Sequence, residues 1–186
     1  MAAGAAPAAA QVEIRLHFTA LERMLASQVF TEEGRKFVKG KTEQQCNFAY
    51  LEKPRVGHEQ SRLRIRARFT GRSAIDLFGK CVGLGDSFDL TIFTHLHYKE
   101  GSAVFRNVMV ESYGKDSFYK RRVRQTIARS MERDLRYPLA AEARRVLEQG
   151  GARTGYKPEL SNFDVSSIEV TPSAVVFRLR FHLDVK

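Results

Sequence analysis

The sequence predicts an α+β fold, a long and strongly curved antiparallel sheet wrapped around a long C-terminal helix, with a shorter N-terminal helix beside it. Three observations carry this reading. Residues 62–69, RLRIRARF, and residues 173–185 alternate apolar and polar side chains, the pattern of strands with one dry and one wet face. Residues 117–148 instead place apolar side chains at every fourth position, which is helical. The lengths then agree: a helix of about 32 residues spans ~48 Å, and a strand of about 13 residues spans ~43 Å.

Taken in order, Val12, Ile14, Leu16 and Phe18 alternate with Glu13, Arg15 and His17 and predict a half-buried strand. Thr19 stands three residues before Glu22, a capping-box spacing that starts a helix. Leu21, Met24, Leu25 and Val29 give that helix one apolar face, and Gly34 and Gly40 bracket its end, with room for two shorter helices. Residues 45–56 read as a strand whose far end Pro54 turns into an edge or a bulge. In 62–69, Leu63, Ile65, Ala67 and Phe69 face one way and four arginines the other. Residues 72–86, with Gly79, Gly83 and Gly85, read as a loop. Residues 87–98 and 103–113 form a hairpin about Lys99-Glu100-Gly101, and 163–171 and 173–185 form another about Thr171-Pro172-Ser173.

Areas decide how these parts assemble. Seven strands at ~4.8 Å spacing make a sheet roughly 30 Å wide, and one helix ~10 Å across covers about a third of it. The remaining dry face needs a curl of the sheet, a second chain or an apolar ligand to cover it. The stripe of Val123, Ile127, Met131, Leu135, Leu139, Ala143 and Leu147 advances by about 40° at each step, so it winds around the helix and suits a sheet that wraps. Pro138 interrupts the helix with a kink or a break at Tyr137.

Composition bounds the function. At 186 residues and 21.1 kDa the chain suits one domain over 11–186, and its 13 Phe supply bulk for one core. Residues 1–10, MAAGAAPAAA, read as a leader remnant or a disordered tail. A net charge of +10 and a pI of about 9.9 favour an anionic partner. No apolar run approaches the ~18 residues of a membrane-spanning helix. Cys46 and Cys81 make no metal-binding pair; they form one disulfide in an oxidising compartment or stay as buried thiols. No G-x-S-x-G, H-E-x-x-H or Walker sequence is present, so the expectation is no enzyme, no catalytic residue and no cofactor. His95 and His97 share a strand face but lack a third ligand, so no metal site is expected.

Arg136-Tyr137-Pro138-Leu139 at the end of the long helix, with Tyr156-Lys157-Pro158-Glu159-Leu160 leading into Ile168-Glu169-Val170-Thr171-Pro172, resembles the YceB-type bacterial lipoproteins over about residues 11–186. Those proteins in turn resemble the tubular lipid-binding (TULIP) superfamily, in which a curved sheet wraps a long helix and the groove between them holds acyl chains. The resemblance implies a periplasmic or envelope-associated protein with an apolar ligand channel. The chain departs from the family in having no lipid-attachment Cys near residue 1.

The expected function is therefore binding, with transport or sensing, of a lipid or other apolar molecule. The expected groove residues are Leu21, Met24, Leu25, Val123, Ile127, Met131 and Leu135. Arg122, Arg129, Arg133 and Arg136 share one helical face by the same angular arithmetic and would meet an anionic membrane surface. The competing reading is a scaffold with a filled core and a basic docking face. Nucleic-acid binding ranks third, because Leu63, Ile65 and Phe69 point away from the arginines instead of interleaving with them.

Overall fold

Nine strands and three helices are built from residues 10–186, the residues that the structure, a computed structural model, describes. The tail expected over 1–10 lies outside them, apart from Ala10, which opens the first strand. In chain order they are β1 (Ala10–His17), α1 (Phe18–Gln28), β2 (Arg35–Lys39), β3 (Asn47–Glu59), β4 (Arg62–Leu77), β5 (Lys80–Lys99), β6 (Ser102–Ser112), α2 (Phe118–Asp134), β7 (Arg136–Tyr137), α3 (Leu139–Thr154), β8 (Pro158–Val170) and β9 (Ala174–Val185). The strands form two antiparallel sheets and not the single sheet of seven expected. One has the order β2-β3-β4-β5-β6-β7 and is strongly curled into a half-barrel; the other is β1-β9-β8.

The curl has a local cause. Among the register shifts, two residues oppose one at Lys53-Pro54 in β3 and Asn107-Val108 in β6 of the half-barrel, and at Asn162-Phe163 in β8 of the small sheet. The first residue of each pair is left-handed, with φ of 54°, 53° and 51°. Each extra residue bends its strand and adds twist. Pro54 thus marks a bulge, one of the two outcomes its position allowed.

One core draws on both sheets. Leu63, Ile65, Ala67 and Phe69 of β4 and Phe88, Leu90 and Ile92 of β5 share it with Val175, Phe177 and Leu179 of β9 and with Ile127 and Met131 of α2. The alternation read in 62–69 is realised residue by residue: the apolar members are buried, and Arg66 and Arg68 are exposed.

Several expectations are corrected. The long helix over 117–148 does not exist as one rod. It ends at Asp134, passes through the two-residue β7 paired with Val104 and Ala103, and restarts after Pro138. Proline has no N–H to donate and pushes the residue before it out of helical geometry, so Tyr137 is extended and can join the sheet. The capping box is also absent. Helix α1 starts at Phe18 with His17 as an uncapped N-terminal residue. Glu22 serves elsewhere: its Oε1 accepts from Val56 N at 2.8 Å, on a stretch of β3 that β2 does not reach. Glu132 of α2 does the same at the bulge, accepting from Val108 N at 2.9 Å. Both carboxylates satisfy strand-edge amides that would otherwise invite another strand. The segment between Gly34 and Gly40 is a strand, not a helix end. Residues 72–86 are not a loop, since β4 and β5 run through them to a two-residue turn at Phe78-Gly79.

Candidate functional site

The seven residues expected along a groove sit mostly within the core. Ile127 is 3 % exposed and Met131 7 %, with protein on all sides. Leu21, Leu25, Val123 and Leu135 are half-buried and pack against the same cluster. Met24 is half-buried on α1. Helices and sheets meet along these side chains.

The apolar surface that the chain leaves uncovered lies farther along the small sheet. In β9, Val175, Phe177, Leu179, Phe181, Leu183 and Val185 occupy one face, because no register shift interrupts the strand's own alternation. Val175 is 0 % exposed and Leu179 7 %; Leu183 is 39 % and Val185 59 %. The row leaves the sealed core and emerges into solvent without becoming polar. Its neighbours follow it. Val12 and Ile14 of β1, opposite Leu179 and Phe177, are exposed, and Leu160 and Pro158 of β8 lie opposite Leu183 and Val185.

Helix α3 roofs part of this face. Gly151 meets the start of β8 so closely that a Cβ there would lie 2.5 Å from Pro158 Cδ and 2.5 Å from Tyr156 O, so the approach needs glycine. Beside this contact lies a cavity of about 400 Å³ lined by Glu148, Gly151, Ala152, Gly155, Tyr156, Lys157 and Pro158. Val146 falls on the same helical face as Leu139 by angular arithmetic, yet it is exposed, as is Tyr156. Lys157 N and O bond Lys186 O and N at 2.9 and 3.2 Å, which ties the chain's last residue to the rim of the cavity. Lys186 Nζ also reaches Glu159 at 3.0 Å. The rim thus carries Lys157 and Lys186 beside Glu148 and Glu159, and an apolar face with such a polar rim can hold the tail of an amphiphile and bond its head.

The four arginines divide. Arg122, Arg129 and Arg133 are exposed on α2 and share a face, as expected. Arg136 is exposed too but belongs to β7, so the helix break removes it from that face. Arg133 holds Asp134 through two hydrogen bonds of 2.7 and 2.9 Å, which lowers the carboxyl of Asp134 below its ordinary range. Elsewhere on the wet side, a shallow cavity of about 410 Å³ is lined by Lys53, Arg66, Arg68, Asp89, Thr91 and Tyr113, and Arg68 pairs with Asp89 at 3.4 Å.

Burial pushes the phenols of Tyr98, Tyr119 and Tyr137 above their ordinary value, so all three are neutral at physiological pH. The Tyr98 hydroxyl donates to Phe163 O at 3.4 Å and joins the half-barrel to the small sheet. His95 is half-buried and His97 exposed. Among the described residues, no three His, Cys, Asp or Glu side chains are grouped to hold a metal ion.

Of the two alternatives that the sequence leaves open for its cysteines the disulfide is the one formed, and one further feature escapes the sequence. Cys46 and Cys81 are bonded, with Cα atoms 5.1 Å apart, inside the range that a disulfide spans. The bond joins the segment before β3 to β5. Beyond it, Ile75, Leu77, Phe78, Val82 and Leu84 stand exposed on the β4–β5 hairpin. The signal was present, since Ile75 and Leu77, and Val82 and Leu84, are spaced by two. The three glycines masked it.

Fold and site together define an α+β half-barrel protein whose second sheet carries an unsealed apolar face. Comparisons with protein-family models, with curated proteins and with solved structures returned no match.

Proposed function

We propose that the protein binds a lipid or another apolar molecule, without catalysis, along the dry face of β1, β9 and β8 where that face outruns the core. The observation that carries this reading is the gradient along β9, from Val175 at 0 % exposure to Val185 at 59 % with apolar side chains throughout. A row that only closed a core would turn polar where the cover ends. An acyl chain laid on it gains ~0.8 kcal/mol per buried CH₂, and Lys157, at the rim of the cavity, would meet an anionic head. The curled sheet and the resemblance to YceB-type and TULIP proteins support the same reading. The disulfide supports an oxidising compartment such as the periplasm. Transfer or sensing of the molecule would follow from its reversible release.

The groove in this proposal differs from the one along Leu21, Met24, Leu25 and Val123 to Leu135, because the buried Ile127 and Met131 favour core there. That same burial favours a second reading, a scaffold with a filled core whose exposed Arg122 and Arg129 dock an acidic partner.

Organic extraction of the purified protein followed by mass spectrometry separates the two. Lipid is expected in stoichiometric amount, and Leu183→Asp should lower it by about tenfold with an unchanged unfolding midpoint, because one aliphatic contact is lost and a charge is placed in the acyl path. Lipid-free protein that also takes up no fluorescent fatty acid would leave the scaffold reading.

A further inference from the structure

We propose that the hairpin arm of residues 73–84 docks the protein onto the interface of an anionic lipid bilayer. The arm is a two-stranded ribbon outside the main sheet. β3 stops pairing with β4 at Ser73, and β6 stops pairing with β5 at Leu90. From there to the turn the register runs unshifted through Ser73–Leu84, Ile75–Val82 and Leu77–Lys80. Ile75, Leu77, Val82 and Leu84 therefore share one face, and it continues the dry face of Phe69 and Phe88. Cys81 projects from the other face to Cys46, and Ala74 N donates to Cys46 O at 2.9 Å. An isolated ribbon is marginal in water; this one is braced on its polar side and leaves its apolar side open.

The tip sharpens the case. Phe78 and Gly79 make the turn with φ of 53° and 77°, where asparagine followed by glycine is the favoured pair. An aromatic residue in the left-handed region is disfavoured locally, and Phe78, at 104 % exposure, recovers nothing from packing. A bulky side chain held where it helps neither the turn nor the core points to use outside the chain. Lys80 stands opposite Leu77 beside it, the pairing of apolar body and cation that suits the headgroup boundary.

Charge at the root of the arm selects an anionic surface. Lys120 Nζ lies 5.0 Å over the ring of Phe88, and Tyr119 Oη would be 2.8 Å from a Cβ on Gly71, so the start of α2 sits against the base of the ribbon. Between 113 and 124 that region carries Lys115, Lys120, Arg121, Arg122 and Arg124 against Asp116, with Phe118 exposed among them, and Asp86 opposite Gly71 leaves the balance at the root positive. A protein partner would need ~800 Å² of shaped surface on each side, which five side chains on a narrow ribbon do not offer. A bilayer needs no such shape. The docking stands on residues other than the proposed ligand site, and it does not require that site to be filled.

Flotation with vesicles of phosphatidylcholine containing phosphatidylglycerol tests it, alongside sedimentation and lipid extraction of the same samples. The wild-type chain should float and sediment as the same species with or without Phe78→Asp. Phe78→Asp should cut the bound fraction by about tenfold or more, the worth of one buried Phe, and Phe78→Leu should retain most of it. Co-purified lipid unchanged in Phe78→Asp would show docking and ligand binding to be separate. Wild-type protein that does not float, or Phe78→Asp that floats as well as wild type, overturns the proposal. So does a wild-type dimer that Phe78→Asp splits, since the arm would then pair with a second copy.

Discussion

Ile65 and Ile75 lie on the same face of β4, and their surroundings are opposite. Ile65 pairs across with Ile92 and is buried among Leu63, Leu90 and Val175; Ile75 pairs with Val82 and stands in solvent. The boundary between them falls near Gly71, where the ring of Phe69 and the hydroxyl of Tyr119 close over the sheet. Up to that point α1, α2 and the small sheet lie on the dry face. Past it the ribbon continues with the same apolar spacing and no cover. β9 shows the same division, from Val175 to Val185. Alternation specifies which side of a strand is dry; it does not say how far the rest of the chain reaches to keep it so.

The largest way to break this comparison is to release the arm's brace. Cys46 and Cys81 are separated by 35 residues, and chain entropy assigns a bond closing such a loop close to 4 kcal/mol. Cys46→Ala with Cys81→Ala should therefore lower the free energy of unfolding by about 2–4 kcal/mol, and amide exchange at Ala74, which bonds Cys46 O, should accelerate. A faster arm with an unaltered denaturant midpoint would mean that the bond steadies the ribbon alone and that the core half folds without regard to it.

How much of this was legible follows from the same contrast. RLRIRARF and the final strand were readable because every second residue is apolar and no glycine intervenes. The half-barrel curl followed from area, since the helices cannot cover so many strands flat. Residues 72–86 were misread because Gly79, Gly83 and Gly85 carry a strong turn signal, although only Gly79 makes the turn. Gly83 is needed for another reason: its φ of 159° is one that residues with a side chain rarely adopt, and a Cβ there would collide with Ser73 and Ala74 across the ribbon. The long helix was overextended because its stripe runs on past Pro138, and Leu139 does rejoin the core from a new helix. The expected groove residues are buried or half-buried. Periodicity could not tell whether side chains or a ligand fill the space they face, because both demand the same residues. Thr19 and Glu22 matched a capping box by spacing alone, and a strand edge contributed by β3 offered Glu22 a better partner.

A matched pair of substitutions sharpens the comparison at smaller cost. Ile65→Thr removes an apolar group from the core and buries a hydroxyl, so it should destabilise by about 2–4 kcal/mol. Ile75→Thr exchanges one exposed β-branched residue for another and should stay within about 0.5 kcal/mol. Urea unfolding of both variants measures the difference. Equal losses would mean that the arm is packed in solution and that its apolar face is covered by the chain itself or by a second copy.

The smallest effect belongs to Tyr119, which stands at the boundary. Burial raises its phenol above the ordinary value, with the carboxylate of Asp86 adding to the shift. A folded-state pKa above the unfolded one means that the folded chain holds its proton more tightly. The stability this represents is fully present below the unfolded value of about 10 and is lost as the pH rises from there through the folded value. Tyr98 and Tyr137 are shifted in the same direction by burial, so the alkaline loss is shared among three residues. Tyr119→Phe should leave the neutral-pH midpoint nearly unchanged, because no hydrogen bond from its hydroxyl is needed to seat the ring against Phe69. Above pH ~10 the variant should lose less stability than wild type. A wild-type and a Phe variant that decline in parallel would place the Tyr119 hydroxyl in water. The core would then close short of Gly71, on the Phe69–Phe88 pair alone, and the uncovered apolar face would begin one residue pair earlier.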